Sequence, residues 1–278
     1  MLDFICPVCG SSLSGDTVLG CENGHSFDVS SSGYVNLLMN KSTDKTGDDA
    51  EMSRARRDFL SRGLYSPLAD AASKAVCSVL EKRAGNGTER AVIDAGCGCG
   101  YYASRIYDAA LTLGPLTLFA FDLSKTALKS AGKRCAGQKG VKLALANVFS
   151  LPVQSHAADC VISIFAPVAD AEFCRVLKSG GALITVSPAE DHLFELKSFL
   201  YDKPYRNECV QKAYPDFEAV SRERVTFTMT LDRASASELF AMTPYTYKTS
   251  KDDAERLSRL QSLDTAADFY ITKYIKKQ

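Results

Sequence analysis

The sequence predicts an α/β fold: a doubly wound parallel sheet with helices on both faces, preceded by a small module of different composition. Three observations carry this. From Arg90 onward, short β-rich runs alternate with helix-length segments, and a glycine-rich turn sits at the first strand-to-helix junction. Residues 1–39 are rich in Cys, Gly and Ser yet hold neither Lys nor Arg. A chain of 278 residues, 46% of them hydrophobic, can bury one large core and a small satellite. Lys plus Arg and Asp plus Glu both number 33, so the formal net charge is zero and any nucleic-acid contact must come from a local basic patch. The N-terminus "MLDFICPVCG" lacks a basic region followed by a long apolar run, and no stretch approaches the length of a membrane span; a soluble, cytoplasmic protein is expected. Ten cysteines scattered through such a chain favour reduced thiols and metal ligation over disulfides.

The expected organisation is a module over residues 1–39, a polar linker over 40–50 ("NKSTDKTGDDA") and a main domain over 51–278. The main domain opens on a helical pattern, "EMSRARRDFLSRGLYSPLADAASKAVCSVLEKR", interrupted near Gly63 and Pro67, with Asp48 or Asp49 as N-cap. After the break at "AGNGTER", strands are expected at "RAVIDA", "LTLFAFD", "VKLALAN", "DCVISIFAP" and "GALITVSP". Helices are expected at "YYASRIYDAALTL", "SKTALKSAGKRCA" and "DAEFCRVLK". Near the C-terminus, "ERVTFTMTLD" and "DFYITKYIKK" alternate as two further strands at the sheet edge, with helices between them.

The glycine turn "VIDAGCGCGYY" falls at the carboxyl end of the first strand, where open α/β sheets bind ligands. Gly96, Gly98 and Gly100 allow a sharp bend and close backbone approach to a ligand. The spacing is G-x-G-x-G with Asp94 before it, unlike the G-x-G-x-x-G of dinucleotide folds, and it resembles the first motif of class I S-adenosylmethionine-dependent methyltransferases, a Rossmann-like fold. Asp122, at the end of the second strand, can accept hydrogen bonds from both ribose hydroxyls of an adenosyl group. Asn147, after the third, can recognise the adenine amino group through its amide. Cys97 and Cys99 read as small pocket-lining residues, with a C-x-C metal site as the alternative.

A second constellation lies near the N-terminus. Cys6 and Cys9 form one knuckle, and Cys21 with His25 forms another, a spacing that can close a tetrahedron around a structural zinc ion. A module this small has too little apolar core to fold alone, so metal binding supplies much of its stability. It carries four acidic and no basic side chains, which makes it a poor phosphate grip by itself.

These knuckles, followed by "GYVNLL", "GDDAEMSRARRDFLSRGLYSPL", "DAGCGCGYY" and "MTPY", resemble RlmA-type 23S ribosomal RNA guanine-N1 methyltransferases. The resemblance implies methyl transfer to N1 of a guanine in a stem-loop of large-subunit RNA, often by a homodimer whose zinc modules border the RNA cleft. It also implies that some members alter macrolide susceptibility. By position it sets Tyr65, Gly98, Cys99 and His192 against the cofactor; where this chain has Cys99, the family often has an acidic residue. His156 matches nothing and reads as a surface loop residue.

Guanine N1 carries a proton at neutral pH, so the enzyme must remove it or stabilise an enolate-like anion, with the base taken out of its stack. Phe165 and Pro167, after the fourth strand, can stack on or border that base, or are ordinary strand-end packing. Asp170 or His192 can accept the proton. Arg54 and Arg57, three apart on one helix face, are candidates for phosphate contact, against a solvated face paired with Glu51 and Asp58. Two rival readings are a small-molecule methyltransferase with a zinc appendage and a non-catalytic RNA-binding protein.

Overall fold

The computed structural model describes residues 2–39, 49–83, 89–243 and 256–277. Most of the linker, most of the "AGNGTER" break, and Pro244 and Tyr245 of "MTPY" lie outside the described residues. The chain begins with a short antiparallel pair, β1 (Val18–Gly20) and β2 (Ser26–Asp28), then a third short strand, β3 (Tyr34–Asn36). Two helices follow, α1 (Ala50–Ser61) and α2 (Ser66–Lys82). Asp49 caps α1, its side chain accepting from the Glu51 and Met52 amides. The helical pattern breaks at Arg62–Tyr65, whereas Pro67 sits in the first turn of α2, where its missing N–H costs nothing.

The strand–helix alternation then runs as expected: β4 (Arg90–Ala95), α3 (Tyr101–Leu111), β5 (Leu116–Asp122), α4 (Lys125–Arg134), β6 (Val141–Leu145), β7 (Ala158–Ile164), α5 (Asp170–Val176) and β8 (Leu177–Pro188). α6 (Phe194–Leu200), β9 (Phe217–Asp232), α7 (Arg233–Ala241) and β10 (Ser262–Lys276) complete the chain. β4 and β7 are buried along almost their whole length because both of their faces are covered.

One sheet of eight strands has the order β3-β6-β5-β4-β7-β8-β10-β9. Neighbours from β3 to β8 pair in parallel, and β10 is antiparallel to both β8 and β9. The chain winds outward from β4 on one side and then returns to start β7 on the other. The switch point between those directions lies at the carboxyl ends of β4 and β7, where such sheets open a crevice. This is the class I methyltransferase architecture, with the C-terminal strand pair at one edge.

The other edge belongs to the N-terminal module. β3 extends the sheet in register with β6, Tyr34 opposite Leu143 and Asn36 opposite Leu145. Phe4, Cys6, Leu13, Val35 and Leu37 are buried in one core layer with Ile93, Phe119 and Phe121 of the main sheet and Phe173 of α5. The Phe4 ring lies 5.3 Å from that of Phe119 and 5.8 Å from that of Phe121. On α4, a Cβ at Gly132 would stand 1.7 Å from the Ser32 carbonyl oxygen, so only glycine lets the module approach this closely. Among the described residues, no helix is long and apolar enough to cross a membrane.

Candidate cofactor and metal sites

The glycine turn leaves β4 and enters α3, and all three glycines have positive φ: 89° at Gly96, 53° at Gly98 and 74° at Gly100. The turn is anchored from β5. Phe121 O accepts from the Gly96 and Cys97 amides, and the Gly98 amide donates to Asp122 Oδ2 at 2.8 Å. A Cβ at Gly96 would meet Ala166 at 2.5 Å, whereas one at Gly98 would meet nothing within 4 Å. The loop is thus packed at its root and open at Gly98, the form of a cradle.

Asp94 stands behind this cradle. Its side chain is buried, Oδ2 has no hydrogen-bond partner, and burial followed by the charge of Asp122 raises its pKa to about 7. A buried carboxylate oxygen without a donor fits a cationic group arriving from outside the chain. Asp122 is partly exposed and already holds two amides, Gly98 through Oδ2 and Ser124 through Oδ1 at 2.8 Å. It therefore shapes the loop and the start of α4. Asn147 Oδ1 accepts from the Phe149 amide at 3.0 Å, which orients its amide nitrogen as the freer group. That arrangement suits donation to an adenine ring nitrogen better than acceptance from the adenine amino group.

Cys97 and Cys99 are buried, and burial is the main cause that raises both thiol pKa values, so they line the pocket as neutral apolar groups. The metal-capable cluster found among the described residues is elsewhere, which leaves the C-x-C metal reading without support. α1 packs beside the cap of α4 and the end of α7: Ser53 Oγ lies 3.3 Å from Ser124 Oγ, and Arg56 reaches the Met242 carbonyl at 3.0 Å.

Tyr65 and His192 come together with residues that sequence reading missed. The His192 ring is 4.5 Å from Phe269, and Tyr65 is 5.2 Å from Phe269, 6.4 Å from Phe227 and 6.4 Å from His192. Phe165 joins them, its ring 5.5 Å from Phe269, while remaining 47% exposed. Its φ of 55° is a strained conformation for an aromatic residue, held at the mouth of the crevice. Pro167 is also exposed.

The two candidate bases separate. His192 is buried, Nδ1 accepts from the Asp268 amide at 3.3 Å, and burial followed by the charge of Lys197 lowers its pKa to about 3. It is a neutral imidazole with its hydrogen on Nε2, a donor rather than a proton acceptor. Asp170 heads α5, whose Phe173 lies in the other core layer, and Asp170 acts electrostatically on Tyr214. Asp268 itself is held by Arg224 at 2.9 and 2.7 Å and by Thr226 at 2.6 Å, so its amide is fixed in front of the imidazole.

The ligand atoms of Cys6, Cys9, Cys21 and His25 all lie within 4.8 Å of one another. A tetrahedron with zinc–sulfur bonds of about 2.3 Å has edges of about 3.8 Å. The Cys9 and Cys21 sulfurs are 3.7 Å apart, and His25 Nδ1 is 3.4 Å from Cys21 Sγ. Three thiolates and one imidazole in this spacing fit zinc and leave no open position. Two clefts, of about 570 Å³ beside Asp70 and Arg105 and about 450 Å³ beside Arg83 and Lys273, are not lined by any residue of the glycine turn.

Arg54 and Arg57 are on the outer side of α1. Arg54 Nε bonds its own helix at Ala50 O, and Arg57 pairs with the neighbouring Asp58 at 2.8 Å. Among the described residues, Glu51 forms an ion pair with neither. Of the other basic residues here, Arg62 pairs with Glu238 of α7 at 2.6 Å.

Comparison with known proteins agrees with this geometry. A methyltransferase-domain family matches residues 87–254, and the family of the RlmA N-terminal zinc ribbon matches residues 4–42. A 23S rRNA (guanine(748)-N(1))-methyltransferase of Streptomyces fradiae is 34% identical over 93% of this chain and 91% of its own length. A Bacillus subtilis protein named "Putative 23S rRNA (guanine-N(1)-)-methyltransferase YxjB" is 34% identical over 95% of this chain and 94% of its own.

Proposed function

Because the chain belongs to the family of 23S rRNA guanine-N1 methyltransferases with an RlmA-type zinc ribbon, we propose that it methylates N1 of a guanine in a stem-loop of 23S rRNA, using the glycine cradle and aromatic wall described above. The observation that carries the geometric side is the open face of Gly98, flanked by the partnerless Asp94 Oδ2 and by Asp122. S-adenosylmethionine, when bound, supplies an activated methyl on a sulfonium. Tyr65, Asp94, Gly96, Gly98, Cys99, Gly100, Asp122 and Asn147 would hold it, with Asp122 accepting from the ribose.

The chain's own part in the reaction is orientation, exclusion of water and placement of donors. Phe165, exposed and held at positive φ, offers a face on which an unstacked guanine can rest. His192 is assigned the donor role, its Nε2–H steadying oxygen charge as the N1 proton passes to solvent water at the mouth of the crevice, since a group with a pKa near 3 is a poor base at neutral pH. Zinc on Cys6, Cys9, Cys21 and His25 is structural.

The same reading takes the enzyme to be a cytoplasmic homodimer and includes an effect on macrolide susceptibility, both supported by the family resemblance. The test is transfer from labelled S-adenosylmethionine to transcribed 23S rRNA, with the product mapped by reverse transcription. N1 methylation removes a Watson–Crick donor, so extension should stop at one guanine. Labelling at no guanine of this RNA, or at an atom outside the Watson–Crick edge, overturns the proposal.

A further inference from the structure

Helix α4 carries Lys125, Lys129 and Lys133 at successive i, i+4 positions, and all three side chains are exposed with no partner among the described residues. No acidic residue occurs from Leu123 to Ala158, so the segment around them is uniformly basic or neutral. At ~100° per residue, these three lysines form one stripe, and the buried Ala127, Leu128 and Ala131 point roughly 150° away from it, toward the sheet. The flanks of α4 are both occupied. On one side Gly132 packs on the Ser32 carbonyl of the zinc module; on the other Arg134 donates to Ser61 Oγ of α1 at 2.8 Å. The lysine stripe is therefore the outward floor between the zinc module and α1.

Its position relative to the cofactor cradle is set by the cap of α4. Ser124, which caps the helix, is held by Asp122 Oδ1, so Lys125 stands at the rim of the cradle and Lys133 about 12 Å farther along the helix. Arg54, Arg57 and Ser61 fall at i, i+3 and i+7 on α1, a single face that meets Arg134. Beyond the opposite flank, the module has four acidic and no basic residues, which discourages a polyanion from spreading that way.

We propose that the stripe Lys125–Lys129–Lys133 is a phosphate track on which the RNA strand leading to the target guanine lies, and that the zinc module braces α4 as one wall of this track instead of gripping phosphate itself. The inference rests on the proposed RNA substrate. Unpaired lysines on a rigid helix suit such a contact, because they hold phosphate as point charges without reading sequence.

The experiment compares full-length protein with the triple variant Lys125→Gln, Lys129→Gln, Lys133→Gln, and with the Lys→Arg triple. Deproteinised 23S rRNA is the probe, and Lys74→Gln with Lys82→Gln on α2, which removes two charges from a helix outside the proposed track, is the control. The Gln triple should reduce the log–log salt slope of RNA binding by about two to three units. It should raise KM for RNA at least tenfold while changing kcat less than twofold, with cofactor affinity unchanged. The Arg triple should behave as the wild type, and the α2 control should keep the slope. An unchanged slope and KM in the Gln triple, or an equal loss in the α2 control, overturns the track. Failure of the underlying reading is separate: wild-type protein would then transfer no methyl to 23S rRNA, while the binding slopes still decide whether α4 touches it.

Discussion

Asp94 and His192 show how burial turns a titratable side chain into a diagnostic of its site. The pKa of Asp94 is raised from 3.8 to about 7, first by burial and then by Asp122. An acid whose folded pKa is raised contributes stability that is full below its unfolded pKa and lost as pH rises through about 7, so the cofactor-free fold should be relieved by Asp94→Asn at pH 8. A cationic cofactor prefers the carboxylate. Its affinity should therefore rise with pH up to about 7, by at most about tenfold per unit, and flatten above, and Asp94→Asn should be weaker and nearly pH-independent. Calorimetry between pH 5.5 and 8.5 checks this; a flat wild-type profile removes Asp94 from the site. For Asp122→Ala the expectation is a loss of about 1–3 kcal/mol in cofactor binding, since an acceptor for ribose hydroxyls is removed together with the anchor of the Gly98 amide. His192 moves the other way, from 6.5 to about 3, so its contribution to stability is complete above about 6.5 and is lost as pH falls toward 3. His192→Asn, which can still accept from the Asp268 amide, should lose less stability than the wild type between pH 7 and 4.5 in paired denaturation curves. At this scale, the glycine spacing, Asp94 and Asp122 were legible because the chemistry is local. Phe269 and Asp268 were not, because nothing in β10 signals that it will pair beside the strand preceding His192.

Elements tell a similar story of local signals and remote partners. The β-rich runs and the helices between them were readable because their lengths and apolar patterns are intrinsic to each segment. The two knuckles were readable for the same reason, each being a turn that presents two ligands. The three-residue β3 was not, because its continuous pairing is with the edge of β6 far along the chain, and its local pairing is a single bridge from Val35 to Val29. Its pairing, and the shared layer of Phe4 with Phe119 and Phe121, make the zinc module part of the main core. Metal removal should therefore lower the melting temperature of the whole chain in one transition. Two resolved transitions in calorimetry, with the methyltransferase domain unaffected by a chelator, would show the module to be thermodynamically separate. Phe4→Ala should cost about 3–5 kcal/mol, the usual range for deleting a buried aromatic side chain, with zinc content unchanged.

Over the whole molecule, equal numbers of acidic and basic residues conceal an uneven distribution. The module is acidic, whereas the outward face of α4 is basic and α1 sets Arg54 and Arg57 beside Glu51 and Asp58, so the basic surface near the cradle lies mainly on α4 although the net charge is zero. The arginines of α1 divide by what holds them. Arg56 and Arg62 are tied to Met242 and Glu238 and fix α1 to the C-terminal part of the chain, which makes them structural. Arg57 pairs with Asp58, but both side chains are more than 40% exposed, and such a pair contributes at most about 1 kcal/mol and exchanges readily for phosphate. Arg54→Gln with Arg57→Gln should therefore leave the melting temperature and the cofactor affinity near wild type, since neither side chain builds the cradle. RNA binding should weaken, and its log–log salt slope should fall by about one to two units, fewer than for the three lysines of α4 because Asp58 already offsets one charge. Combined with the α4 triple, the two losses should add within about 0.5 kcal/mol if both faces hold the same strand at separate phosphates. Wild-type salt slope and methylation rate in the double variant would make α1 a solvated face and confine the RNA contact to α4.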